Sequence, residues 1–471
     1  MASQRSSTHQ KALQINIDAT VHGTFAEIGA GQEVVRWFFH VGGAASTVAK
    51  TISAYDMQVS DAIYGTAKRY VSKQRLQVML DYEYDLLVQR LEGIRGERTA
   101  FFAFADTVAT SSYSRHEEGH GWVGLKFQHR PMNPPSQITL HARLLDAENV
   151  RQQEAMGTLG VNLLYAAYYL HGDPRVLIST LGDELSRERI EIDMVDLSGP
   201  CFQEIDNRLM SLQLVEQDLT DAVLFTAEGT VVEPAEVLHG KPVLAERGSF
   251  RPVTNTTLGM LERAQALFCE ELTESREEVV ALAEMTLRNL MAGDEIAPAD
   301  FLARVDVLSA LGKTVMVSRH AHHYRIAAQI RRYTGKPVGF VLGIPALREL
   351  FEEKYYTDLD GGILESFGRL FKSGVKLYVY PSRDSGSDRL ITADNLEVAT
   401  HLRLLYAFLR ESGLLRVIEK VDESQLHIFP GDVQALIEGG DPVWEEMVPV
   451  EAARIIKERA LFGYRPSPAP S

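Results

Sequence analysis

The chain holds only two cysteines, Cys201 and Cys269, in 471 residues. So few, so far apart, exclude a disulfide framework and point to a reducing compartment. Long apolar runs are missing too: no stretch reaches the roughly 18 uninterrupted apolar residues of a membrane-spanning helix. Positive charge is scarce. Forty-eight Lys and Arg against 64 Asp and Glu give a formal net charge of −16. Such a surface repels nucleic acid and anionic lipid. The opening residues, "MASQRSSTHQKALQINIDAT", hold no apolar segment of the kind a secretory signal needs. These absences together lead us to expect a cytoplasmic protein with no membrane and no nucleic-acid partner.

What is present is ordinary for a globular chain, with 45% hydrophobic and 24% charged residues. The length predicts more than one domain. Residues 1–20 are polar and read as a mobile N-terminus. Residues 465–471, "RPSPAPS", read as a disordered tail with nothing to bury. Between them, residues 21–188 read as an α+β domain. "AKRYVSKQRLQVMLDYEYDLLVQRLEG" has apolar residues at helical spacing, whereas "TAFFAFADTVA", "GWVGLKFQ" and "QITLHARLL" read as strands. "VNLLYAAYYL" returns to helix. "VHGTFAEI" is too short and mixed to be expected as a useful strand.

Residues 189–400 alternate strand and helix: "RIEIDMVDL", "DAVLFTA", "KPVLAER", "EVVALAEM", "KTVMVS", "KPVGFVLG" and "VKLYVYP" are the expected strands. Continuous Val, Ile and Leu runs joined by helical crossovers predict an α/β domain with a mostly parallel, doubly wound sheet. A closed (β/α) barrel is the alternative. Residues 401–464 add a helical extension.

Four motifs invite a chemical reading. "RHEEGH" contains His116, Glu117 and His120 in the H-E-x-x-H order of zinc proteases. That site needs both imidazoles on one helix face, and Gly119 and Gly121 with the following "WVGLKFQ" predict a loop and then a strand. A zinc hydrolase therefore stays a minor alternative. "VLFTAEGTVVEPAEVL" resembles the first motif of haloacid-dehalogenase-like phosphatases. The positions of that family's two aspartates hold Thr226 and Glu228, so the nucleophile is lost. "AEIGAGQEVVRW" resembles a Gly-rich dinucleotide loop, with Gly29 and Gly31 before a helix start, although the weak strand ahead of it favours a plain helix-start turn. In "RIEIDMVDL" the alternation puts Glu191 and Asp193 on one face, as expected of an edge strand with a wet side; metal-binding carboxylates are the alternative reading.

In open α/β sheets ligands sit beyond the carboxyl ends of the strands. The most distinctive strand end is "AERGSFRPVT", where Arg247, Ser249 and Arg251 suit a phosphate or carboxylate. An ion pair of Glu246 with Arg247 or Arg251 is the structural reading of the same residues. Arg319 adds a cation. Glu284 and His320 are the candidate acid/base residues.

The phrases "EIGAGQEVVRWFF", "VGGAASTVAKTISAYDM", "DNRLMSLQLV", "ERGSFRPVT" and "EEKYYTDLDGGILESFGRLF" together resemble a bacterial family of proteins of about this length, along nearly the whole chain. Its members carry the names TonB-dependent receptor and nicotinate-nucleotide adenylyltransferase. Neither name fits: the chain lacks serial lipid-facing strands, and "HEEGH" is one residue longer than the H-x-G-H string of such adenylyltransferases. The resemblance implies one integrated fold and transfers no functional residue. The resulting expectation is an enzyme acting on a small anionic, phosphorylated or nucleotide-like metabolite. The alternative is a non-catalytic homo-oligomeric scaffold or filament-former using the amphipathic helices around residues 67–92 and "VNLLYAAYYL". No pattern identifies a cofactor or a metal set.

Overall fold

The computed structural model describes residues 6–111, 118–272, 278–372, 374–384 and 389–465. The chain forms two compact units, Met1–Asp221 and Ala222–Ser471. No helix among the described residues is long and apolar enough to cross a membrane.

The first unit is α+β. Its six strands are β1 (Val21–Ile28), β2 (Val48–Ile52), β3 (Ala100–Ala109), β4 (Gly119–Phe127), β5 (Ser136–Leu144) and β6 (Ile190–Ser198). They lie in the order β2-β1-β3-β4-β5-β6. The first three are parallel and the rest antiparallel. Four helices matter here: α1 (Thr8–Ile17), α2 (Glu33–Val41), α3 (Lys73–Arg95) and α4 (Asn149–Tyr169). A Cβ on Gly160 of α4 would strike Val34 of α2 and Phe104 of β3, so this glycine lets α2 and α4 press together onto one sheet face. The other face takes α3, whose Leu76 and Leu80 fill the space above Gly124.

Several expectations change here. "VHGTFAEI" is β1, paired on both sides, because Phe25 and the near-zero side chain of Gly23 pack against Phe102 and Phe38. Residues 8–17, within the segment expected to be mobile, form α1 with a Ser7/Gln10 capping box. "RIEIDMVDL" is β6, an edge strand of this first sheet and antiparallel to β5, not a strand of the second sheet. Its acidic face is dry: Glu191 and Asp193 are each 1% exposed. Thr220 Oγ1 donates to Glu191, and His141 bonds to Asp193. "VNLLYAAYYL" lies almost wholly in α4, with Val161, Leu163, Leu164, Ala166 and Ala167 all at 0% exposure, so most of this segment is core.

The second unit is α/β. Its main sheet contains β7 (Ala222–Phe225), β8 (Val231–Val232), β9 (Val243–Arg247), β10 (Val280–Thr286), β11 (Thr314–Ser318), β12 (Val338–Gly343), β13 (Lys376–Tyr380) and β14 (Leu415–Val417). The order is β14-β13-β12-β9-β10-β11-β7-β8. The run from β14 to β11 is parallel, and β7 and β8 close one end antiparallel. The sheet is open; no barrel closes. The crossovers include α5 (Asn255–Glu271), α6 (Pro298–Ala310), α7 (His323–Arg331) and α8 (Ile344–Leu350). Both faces are buried. Ala245, Phe340 and Leu377 pack with Ile326 and Leu347 on one side. Leu244, Val341 and Tyr378 pack with Leu261 and Phe268 of α5 on the other. Two covered faces explain why these strands read as unbroken apolar runs.

Chain direction changes at one place. From β9 the chain winds outward to β10 and β11, then returns to the other side of β9 as β12 and winds outward again to β13 and β14. The carboxyl ends of the neighbours β9 and β12 thus flank the point where crossovers diverge, the place where open α/β sheets bind ligands.

Candidate functional site

Arg247 ends β9 at that switch point. Its Nε donates to Glu284 Oε2 at 2.6 Å and its Nη2 to Glu284 Oε1 at 3.2 Å. Nη2 also donates to the carbonyl of His320 at 2.9 Å, and Nη1 to that of Ala321 at 2.8 Å. Glu284, on β10 and 1% exposed, receives a further bond from Ser318 Oγ at 2.5 Å. That hydroxyl accepts from the His320 backbone N–H. Three parallel strand ends are therefore locked together by one ion pair, bidentate and almost dry, in the geometry that makes such pairs strong. Arg247 bonds to Glu284 and not to Glu246. Glu246 is one residue earlier, so its side chain leaves the opposite face of the sheet, where burial pushes its carboxyl well above the usual range.

The loop after β9 carries the other expected anion holders. Phe250 adopts a positive φ of 49° while its ring is buried, a conformation costly for a non-glycine residue and held here by the packing around it. Arg251 Nε donates to Asp300 Oδ1 at 2.6 Å, and its side chain is 41% exposed. Arg304 holds the same loop from behind: it pairs with Asp300 and donates to the carbonyls of Ser249 and Asn289. Thr254 then caps α5 by accepting from the Thr257 N–H.

The structure brings Arg247, Glu284, Ser318 and the His320 backbone into one hydrogen-bonded cluster. It places Ser249 and Arg251 in the adjoining loop, tied to Asp300 and Arg304. Arg319 is exposed just beyond β11. The sequence missed Asp300 and Arg304, which lie on α6 as an ordinary i, i+4 pair and carry no strand-end signal. In "SRHAHHYR" it favoured His320 at the strand end over His322 and His323, which open the next helix; His323 begins α7. Burial and then the positive charge of Arg247 hold that imidazole well below its ordinary value, and its Nε2 is buried with no partner among the described residues.

The remaining motifs resolve as follows. His116 and Glu117 lie outside the described residues, whereas His120 sits on strand β4 rather than on a helix. Thr226 heads a hairpin turn: its N–H donates to the Thr230 carbonyl and its hydroxyl accepts from the Glu228 N–H, joining antiparallel β7 and β8. The Gly-rich loop does follow a strand and lead into α2. Gly29 has φ +103°, and a Cβ there would lie 1.8 Å from the Val108 carbonyl oxygen, so only glycine fits. Yet the acceptor at the helix start is the protein's own. Glu27 Oε2 and Oε1 accept from the N–H groups of Val34 and Val35 at 2.9 and 3.0 Å.

Glu27 is in register with Asp106 of β3, and both are 1% exposed. Burial pushes the Glu27 carboxyl up to about 7, and burial with the neighbouring Glu27 charge pushes Asp106 well above its usual range. Folded Glu27 thus holds its proton where the unfolded chain has released it. Its contribution to stability is complete below about pH 4.5 and is lost as pH rises through about 7, amounting to about 3 kcal/mol at most. We expect the denaturant midpoint to fall between pH 5 and pH 7.5, and Asp106→Asn, which removes one of the two carboxylates, to flatten that fall. An equal slope in both proteins would show that the two groups do not interact.

An open α/β sheet with charged strand ends around a topological switch point is the class of structure that the second unit defines. No family model and no curated protein matches the chain. Solved structures show a partial likeness. One is a competence/damage-inducible protein, CihA, from Agrobacterium tumefaciens, at 17% identity, covering 35% of this chain and 98% of that one with a TM-score of 0.26. Others are competence-damaged protein (CinA) superfamily proteins. That from Enterobacter cloacae has 12% identity, coverage of 36% and 96%, and a TM-score of 0.26. That from Klebsiella pneumoniae has 12% identity, coverage of 35% and 98%, and a TM-score of 0.27. A likeness at this level does not bear on activity.

Proposed function

We propose that the chain is an enzyme acting on a small anionic metabolite, with the anionic group held beyond the carboxyl ends of β9 and β12. The observation that carries this reading is the coincidence of the switch point with the loop bearing Ser249 and Arg251. Arg247 has most of its donors committed within the protein, so its part is to position the strand ends. Arg251 spends only Nε on Asp300, which leaves its two Nη groups to face a phosphate or carboxylate, with Arg319 nearby in sequence to the β11 end. His320 lies two residues beyond the end of β11 and is the proton carrier in this reading; Glu284, bonded to Arg247 and Ser318, fixes it through the backbone.

The test is thermal stabilisation by a panel of inorganic phosphate, sugar phosphates, nucleoside mono- and diphosphates and small carboxylic acids. At least one is expected to raise Tm. Arg251→Ala should weaken that ligand by about tenfold or more, the value of a charge-assisted hydrogen bond of about 1.5–3 kcal/mol. A ligand whose affinity survives Arg251→Ala unchanged would place its site elsewhere.

A further inference from the structure

The second unit holds a cleft lined by none of the residues assigned above. It measures about 580 Å³, the size of a small-molecule site. Its walls are α5 from Asn255 to Ala266, the end of β13, and the short turn Glu423–Gln425 with Asp422 before it. Thr256 Oγ1 donates to the Gln425 carbonyl at 2.6 Å, which fastens that turn to α5.

Tyr378 and Tyr380 leave β13 on the same face, toward α5. The Tyr378 hydroxyl donates to Glu271 Oε2 at 2.9 Å. Tyr380 is only 3% exposed, yet it lines the cleft and its hydroxyl has no partner among the described residues. A buried tyrosine normally finds one. The charged groups of the cleft are uncommitted as well. Neither Glu262 nor Arg263 makes a hydrogen bond or an ion pair among the described residues. Asp422 accepts from the N–H and the hydroxyl of Ser424 through Oδ1, and Oδ2 stays bare. Burial, and then the Asp422 charge, push the Tyr380 hydroxyl above its ordinary value, opposed by Arg263. Charges of both signs therefore flank that hydroxyl without pairing with each other. Gly259 adds a further sign. It lies inside α5, where alanine is the better helix former. A Cβ there would meet nothing closer than the Tyr380 hydroxyl at 3.8 Å, so packing does not call for glycine. The bare position keeps the cleft open at that hydroxyl.

We propose that this cleft binds a basic amino acid, its carboxylate against the Arg263 guanidinium and the Tyr380 hydroxyl, its ammonium and cationic side chain against Asp422 and Glu262. A guanidinium and a phenolic O–H both donate where a carboxylate accepts. One cation and two anions in the cleft match the one carboxylate and two cationic groups of such a ligand. Leu258 and Ala266 offer apolar surface to its carbon chain. The two carboxylates disfavour a phosphate, which sets this site apart from the anion site beyond β9 and β12.

Isothermal titration calorimetry of the intact chain with L-lysine, L-ornithine and L-arginine tests this. At least one is expected to bind. Removing its carboxylate, as in cadaverine, putrescine and agmatine, should weaken binding by about tenfold or more, the value of a charge-assisted hydrogen bond. Tyr380→Phe deletes only an unpartnered hydroxyl, so Tm should hold while affinity falls by about tenfold. Gly259→Ala should leave the fold at least as stable and still weaken the ligand, a combination that a purely structural glycine would not give. No binding of the three amino acids at millimolar concentration overturns the proposal. So does tighter binding of L-glutamate than of any of them. An affinity that both Tyr380→Phe and Gly259→Ala leave within about twofold of wild type also overturns it, since the ligand would then sit elsewhere.

Discussion

Replacing Arg247 with alanine is expected to cost the second unit about 3–5 kcal/mol, although the residue ends a strand beside a loop. The reason is Glu284. It is 1% exposed and takes two of its three side-chain hydrogen bonds from that guanidinium. Truncation leaves a buried carboxylate with Ser318 alone, and leaves the carbonyls of His320 and Ala321 without their donor. Most of the cost is thus the stranded charge rather than the worth of the pair. The double variant Arg247→Met, Glu284→Leu should recover much of the loss. Equilibrium unfolding checks the size, and hydrogen exchange of peptides covering β9 and β10 localises it. A single variant within about 0.5 kcal/mol of wild type would mean that the strand ends are held by other contacts.

Lys11→Met is expected to be comparably costly in the first unit, about 3–5 kcal/mol. Lys11 is 1% exposed, with its ammonium 2.6 Å from Asp183 Oδ2 and 2.7 Å from Asn162 Oδ1. Asn162 of α4 in turn donates to the carbonyls of Leu181 and Asp183. Removing the ammonium costs buried Asp183 its ion pair with Lys11 and releases α1 from α4. Proteolysis should then cut near residues 8–17 faster than it does in the wild-type protein. Adding Asp183→Asn should restore part of the stability. If α1 stays protected in Lys11→Met, apolar contacts such as those of Ala12 and Ile15 suffice to dock it.

How far these features can be read from residues alone depends on where the partners lie. The strands of the second sheet are visible because burial on two faces removes every polar interruption: "KPVGFVLG" and "KTVMVS" can hardly be anything else. The strand ends follow, and with them Arg247, Glu284 and Ser318. Which carboxylate Arg247 meets is not visible, because Glu246 and Glu284 are equally plausible until the pairing of β9 with β10 is known. β1 is hidden by His22, Thr24 and Glu27, polar residues buried by neighbours that are remote in sequence. α1 is hidden for the same reason: a polar segment becomes core only because Asp183 meets Lys11. The acidic alternation of β6 marks a strand correctly, but its pattern does not tell a wet face from one where His141 and Thr220 supply the hydrogen bonds. His120 stands out only for its place in a zinc-protease string, while its hydrogen-bond partner, His141, is on β5.

The central claim is that the carboxyl ends of β9 and β12 receive a small anionic ligand. Hydrogen–deuterium exchange of the intact chain, with and without whichever compound most raises Tm, tests it most directly. The account predicts slower exchange in peptides covering residues 247–254 and 343–347, which follow the carboxyl ends of β9 and β12. Protection confined to other peptides, with residues 247–254 exchanging as fast as in the free protein, would contradict it.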